Sequence, residues 1–172
     1  MSGLVLRPAT AADHAAVWGI LRPVFRAGET YAIDPAISEA DALAYWFGPG
    51  REVRVAEMGG AVLGTYYIRP NAEGGGAHVC NCGFVTAAAA QGKGVARAML
   101  AEALDRAAHS GYRAMQFNFV ISSNTRAVAL WQSAGFAIAG RLPGAYLHPR
   151  LGYVDALVMY RSLLPDAAPG QA

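Results

Sequence analysis

The chain has 172 residues, of which 54% are hydrophobic and 15% charged, with a formal net charge of +2. This length and composition predict one ordered, globular domain with enough chain for a proper core. The small charge, carried by thirteen scattered arginines and the single lysine Lys93, excludes a basic nucleic-acid-binding arm.

No apolar stretch reaches membrane-spanning length, and the start Met1-Ser2-Gly3-Leu4 lacks the pattern of a secretory leader, so a soluble cytoplasmic protein is expected. Residues 4–7 read as a first strand, ended by Pro8. Thr10 and Asp13 have the spacing of a helix start, and Val17, Ile20, Leu21 and Val24 recur at helical intervals, predicting a helix to about Phe25 with a kink at Pro23. Residues 26–35 form a loop holding Glu29, Thr30 and Tyr31. Ser38 opens a second helix through Leu43, Trp46 and Phe47, stopped by Gly48-Pro49-Gly50.

Residues 51–57 alternate as a strand, Gly59-Gly60 makes a hairpin turn, and residues 61–69 return with Val62, Gly64, Tyr66 and Ile68 on one face. A flexible loop, 70–76, leads to a strand over 78–86. A helix follows over 97–109, with Met99, Leu100, Ala103 and Leu104 facing the core and Gly111 as its cap. Then come a strand over 112–121, a helix from Asn124 through Trp131 closed by Gly135, a strand over 136–142, an apolar loop over 143–152 and a last strand over 153–161. The domain is expected to span 1–164, with a frayed tail from Pro165. Hairpins in the first half and a β-α-β crossover in the second imply an α/β fold: a mixed sheet with helices on both faces.

Between the strand at 78–86 and the helix at 97–109 lies Gln91-Gly92-Lys93-Gly94-Val95-Ala96. Glycines let the backbone approach a ligand, and a helix start offers unpaired amides and a positive dipole end, so the stretch reads as an anion site suited to a pyrophosphate. A dinucleotide fingerprint would follow the first strand and carry a third glycine, and a P-loop would place Ser or Thr after its lysine; neither fits here. Cys80 and Cys82, with His78 on the same strand face, lack a second Cys/His pair and read as buried thiols; no metal is expected.

Gln91-x-x-Gly94-x-Ala96 resembles the pyrophosphate signature of the GCN5-related N-acetyltransferase (GNAT) superfamily. Asn124, its helix, and the Gly135-Phe136 close resemble that family's second signature. The resemblance runs from Leu4 to Arg161 and implies about seven strands, a splayed central pair, and four helices on both faces. It further implies acetyl-CoA as donor. The amides of Gln91, Gly92, Lys93, Gly94, Val95 and Ala96 would hold the pyrophosphate, Val85 and Thr86 the pantetheine arm, and Asn124 and Trp131 would stand beside it. A backbone N–H near Val85 would polarise the thioester carbonyl, a contribution of about 3 kcal/mol.

Asn81 and Asn118 sit mid-strand, where asparagine is disfavoured, one on each strand of the splayed pair. They read either as amides bridging the strands or as acceptor-binding groups at the mouth of the gap. The segments 78–84, 117–119, 64–71 and 154–156 are similar to the fungal L-azetidine-2-carboxylate N-acetyltransferases. That narrower resemblance implies that Asn81 and Asn118 position a proline-like imino acid, and Phe84, Glu29 and Tyr31 are further candidates for the acceptor pocket.

The chain departs from the common GNAT pattern twice. Trp131 stands where many members carry a tyrosine acid, and residues 78–85 hold no carboxylate base. Catalysis mainly by positioning is therefore expected, with no clear general acid or base. The alternatives are another amine acceptor (a polyamine, an antibiotic, phosphinothricin or a protein N-terminus) or a non-catalytic acyl-CoA-binding module. The apolar segment Arg141 to Arg150 suggests a homodimer contact.

Overall fold

The computed structural model describes residues 3–165. The tail expected from Pro165 lies, beyond Pro165 itself, outside the described residues. The strands are β1 (Leu4–Pro8), β2 (Glu52–Met58), β3 (Ala61–Pro70), β4 (Val79–Thr86), β5 (Ala114–Ile121), β6 (Ala137–His148) and β7 (Gly152–Ser162). The α-helices are α1 (His14–Ala27), α2 (Glu39–Trp46), α3 (Val95–His109) and α4 (Thr125–Ser133). They build one seven-stranded sheet in the order β1-β2-β3-β4-β5-β7-β6, antiparallel except for the β4–β5 pair.

The helices cover both faces because each turns one apolar stripe to the sheet. On one side α1 buries Val17, Ile20, Leu21 and Phe25 with Ala42 and Trp46 of α2 against Val53, Val55, Tyr67 and Val85. Complete burial of each large side chain is worth roughly 1.5–3 kcal/mol. On the other side α3 packs Val95, Met99, Leu100 and Ala103 against Tyr66, Cys80, Cys82, Met115 and Phe117, and Trp131 of α4 joins this cluster. Two polar side chains in the core are paired in series: Trp46 Nε1 donates to Thr65 Oγ1 (3.0 Å), which donates to the Arg54 carbonyl (2.9 Å). Glu102 of α3 accepts from Tyr66 Oη (2.8 Å) and from Arg54, pinning the helix to the sheet.

Four local expectations are corrected. Thr10 and Asp13 bracket a 3₁₀ turn, Ala11–Asp13, and the α-helix begins only at His14. The Asp13 carboxylate is used there on the Thr10 amide (2.7 Å) and on Arg7 (2.7 and 2.9 Å). His78 lies outside β4, exposed, with its carbonyl held by the Arg113 amide (2.8 Å). Helix α3 starts at Val95, inside the glycine-rich stretch. Most of the segment expected as a loop over 143–152 continues β6 to His148. An irregularity between Leu142 and Tyr146 absorbs Pro143 and Gly144, and Asp155 ties the segment to β7 by accepting from the Gly144 amide (2.9 Å).

Candidate active site

β4 and β5 pair at only two registers, Val79 with Ala114 and Cys80 with Met115. Beyond these they part, because β5 keeps its ladder to β7 while β4 keeps its ladder to β3. The gap opens into a cavity of about 910 Å³ that reaches from the glycine-rich turn to Asn81 and Asn118.

At one end, β4 passes through the 3₁₀ turn Ala88–Ala90 into Gly92 (φ 73°) and Gly94 (φ 71°). Both are left-handed, a conformation that glycine adopts without a Cβ penalty. Gly94 is the N-cap of α3 and supplies no side-chain cap, and the first i→i−4 bond is Ala98 N–H to the Gly94 carbonyl. The amides of Val95, Ala96 and Arg97 thus precede the ladder, with no acidic side chain in the first turn. Gln91, Gly92, Gly94, Val95, Ala96, Arg97 and Arg126 line this end. Such a donor set fits a pyrophosphate. The Lys93 side chain is not part of the wall.

Val85, Thr86, Asn124 and Trp131 line the middle. Asn124 caps α4, its Oδ1 accepting from the Ala127 amide (3.3 Å), which leaves its NH₂ group free of that role. Trp131 is 8% exposed and packs on Phe117 (4.8 Å) and Phe84 (5.2 Å), so its indole is a wall and not a proton donor. Phe84 also stacks on Tyr66 (5.4 Å). Alternation along β4 puts Phe84 with Cys80 and Cys82 on the α3 side, and Asn81, Gly83 and Val85 on the α1 side. Phe84 therefore borders the cavity from the sheet face opposite Asn81.

Asn81 is 7% exposed, and its Nδ2 donates to the Gln116 carbonyl (2.9 Å) at the first position where the two strands no longer pair. Asn118 lies on the same face, exposed, in a chain of amides: Gln116 Nε2 donates to Asn118 Oδ1 (2.8 Å), and Asn118 Nδ2 donates to Asn71 Oδ1 (2.7 Å). Opposite β7 the register slips between Phe117 and Val120, so Asn118 and Phe119 together face a single residue. This bulge turns Asn118 to the mouth of the gap, a device the residue pattern does not announce.

Tyr31 and Thr30 line the cavity; Glu29 does not. Tyr31 Oη donates to the Phe84 carbonyl (3.0 Å), whereas Glu29 pairs with Arg150 at the turn between β6 and β7 (2.8 Å). Tyr146 of β6 holds the same loop by donating to the Gly28 carbonyl (2.5 Å). Sequence reasoning misses Tyr45, Tyr67 and Arg69 in the wall. The signal is nonetheless there: if Tyr66 and Ile68 of β3 face one way, Tyr67 and Arg69 face the other. Gly83 gives Tyr67 its place, since a Cβ there would stand 2.5 Å from the ring.

Among the described residues no aspartate or glutamate lines the cavity, and no cluster of His, Cys, Asp or Glu suits a metal ion. Burial pushes the Tyr31 phenol and the Cys82 thiol well above their ordinary values, so both stay protonated at neutral pH.

Residues 15–136 match the model of the acetyltransferase (GNAT) family. The chain belongs to the GNAT family. It is similar to a GCN5-related N-acetyltransferase from Kribbella flavida, with 44% identity, a TM-score of 0.89, and coverage of 93% of this chain and 98% of that one. It is also similar to yncA from Salmonella typhimurium, solved with its cofactor acetyl-CoA (25% identity, TM-score 0.83, 99% and 100% covered). Among curated proteins it is similar to the N-acetyltransferase aca1 of Schizosaccharomyces pombe, 29% identical over 76% of this chain and 71% of the relative. The splayed sheet and four helices are those of a GNAT enzyme, and the protein is an N-acetyltransferase.

Proposed function

We propose that this enzyme transfers the acetyl group of acetyl-CoA to the amine of a small amino or imino acid, proline-like acceptors included. One observation carries the reading. A single cavity joins the uncapped start of α3 to the amides of Asn81 and Asn118 across the parted β4 and β5. Donor phosphates would rest on the amides from Gly92 to Arg97, and the pantetheine arm would run along Val85 and Thr86 beside Asn124. Acetyl-CoA supplies an acetyl group already activated as a thioester. The chain itself orients the acceptor, excludes water with Phe84, Phe117 and Trp131, and presents main-chain amides of β4 on the open side of the gap.

With no carboxylate in the wall among the described residues, Asn81 and Asn118 act by holding the amine in line, and its proton leaves through water or a main-chain carbonyl. Among the described residues the wall holds Arg69, Arg97 and Arg126 and no acid, which disfavours a polyamine, whose cations would meet like charge. Thiol release from acetyl-CoA against a panel of amines tests the reading: amino or imino acids should turn over, and turnover confined to polyamines or protein N-termini would overturn it.

We also propose a cytoplasmic homodimer formed along the edge strand β6, where Ile138, Leu142 and Leu147 are exposed. Sedimentation at micromolar concentration should give the dimer mass; a monomer would contradict it.

A further inference from the structure

The acceptor end of the cavity holds a positive charge that the protein leaves without a counterion. Arg69 lies on β3 directly opposite Asn81 of β4 in the ladder, so the two side chains emerge on one face as neighbours. Both line the cavity, together with Tyr45, Tyr67 and Asn118. The Arg69 Nε is buried and has no hydrogen-bond partner, and among the described residues no carboxylate pairs with this guanidinium. A second guanidinium reinforces the field: Arg51 sits 4.3 Å from the ring centres of both Tyr45 and Tyr67.

Five other arginines are matched by carboxylates. Arg7 meets Asp13 and Glu57, Arg54 meets Glu102, Arg106 meets Glu52, Arg141 meets Asp155 and Arg150 meets Glu29. A half-buried guanidinium with an unsatisfied N–H is costly unless an anion completes it, and its planar fork matches a carboxylate. Asn81 supplies the complement. One N–H of its Nδ2 goes to the Gln116 carbonyl, while its Oδ1 has no partner among the described residues and is free to accept an N–H.

We propose that Arg69 is the carboxylate anchor of the acceptor site and that Asn81 Oδ1, beside it, receives an N–H of the acceptor amine. The pair reads the two groups that every α-amino or imino acid carries on one carbon, and so selects the class by its carboxylate rather than by its side chain. This inference rests on the amino-acid reading above and adds to it the residue that makes the choice.

The test compares L-α-amino and imino acids, L-proline among them, each with its own carboxamide, by initial rates of thiol release from acetyl-CoA. The wild type should favour acid over amide by about 100-fold or more in kcat/KM, as sites built around a substrate's polar group do. In Arg69→Gln the acid should lose most of that advantage, the amide should change little, and the KM for acetyl-CoA should hold. Arg69→Lys, which keeps the charge without the fork, should fall between. Equal losses for acid and amide in Arg69→Gln would overturn the inference while leaving the amino-acid reading intact. Should Arg69→Gln fail to fold, the wild-type ratio decides: a value near one overturns the proposal. Turnover of spermidine alone, with neither acid nor amide accepted, would overturn this inference and the amino-acid reading together.

Discussion

Asn81 Nδ2 donates to the main-chain carbonyl of Gln116 at 2.9 Å, one residue past the last β4–β5 ladder pair. A side chain thus makes the bond that the backbone gives up where the strands part. This places Asn81 at the vertex of the gap, both as a structural tie and as part of the cavity wall where the acceptor is proposed to sit.

Two losses should follow from Asn81→Ala. Leaving the Gln116 carbonyl without its donor should cost about 1–3 kcal/mol, read from urea unfolding. Acceptor kcat/KM should fall by roughly 100-fold, the usual effect of misplacing a substrate by an ångström, with the KM for acetyl-CoA near wild type. A parallel fall in affinity for acetyl-CoA would mean that the tie shapes the whole gap and not the acceptor end.

Gly94 has φ 71° as the N-cap of α3. Gly94→Glu sets a carboxylate where an anion is expected, on a backbone conformation that side chains rarely adopt. Titration calorimetry should show loss of CoA binding with the fold retained by circular dichroism. Unchanged affinity would mean that the pyrophosphate does not sit at this helix start.

The pH dependence of kcat/KM should report the acceptor and not the protein. Tyr31 and Cys82 are held protonated by burial, and no carboxylate lines the cavity among the described residues. The activity should rise with pH as the free-amine form of the acceptor appears, and acceptors of different basicity should shift the inflection in step. An inflection that stays fixed across acceptors would reveal a protein base.

Stability carries a separate acid signature. Hydrogen bonds from Arg7, and then those from Thr10, hold the Asp13 carboxyl well below the usual carboxylate range. A depressed folded-state value stabilises above the unfolded value, near 4, and that stability is lost as pH falls below it. Asp13→Asn should therefore be less stable than wild type at pH 7, with the difference closing below about pH 4 in thermal melts.

The turn and cap proposed to hold the donor are legible in the sequence because they are local. Gln91 to Ala96 and Asn124 to Phe136 each place a glycine turn or a cap against one helix, and a turn is specified by the residues that form it. The end proposed to take the acceptor depends on long-range register. Asn118 gains its position from a bulge against β7, and Arg69 becomes a neighbour of Asn81 only through the β3–β4 pairing. Glu29 suits an acceptor loop by composition, yet β6 runs far enough for the following turn to bring Arg150 to it. That extension is hidden by Pro143 and Gly144, which read as loop residues but sit in an irregular stretch of a long edge strand.

The central claim is that the cavity brings an acetyl donor and an amino or imino acid together across the β4–β5 gap. The measurement that bears on it most directly follows isotopically labelled acetyl-CoA incubated with the enzyme and L-amino and imino acids, with products resolved by mass spectrometry. Label on the acceptor nitrogen, formed in step with free CoA and absent with Gly94→Glu, is the predicted result. Tight CoA binding with no labelled amino or imino acid at any acceptor concentration would contradict it.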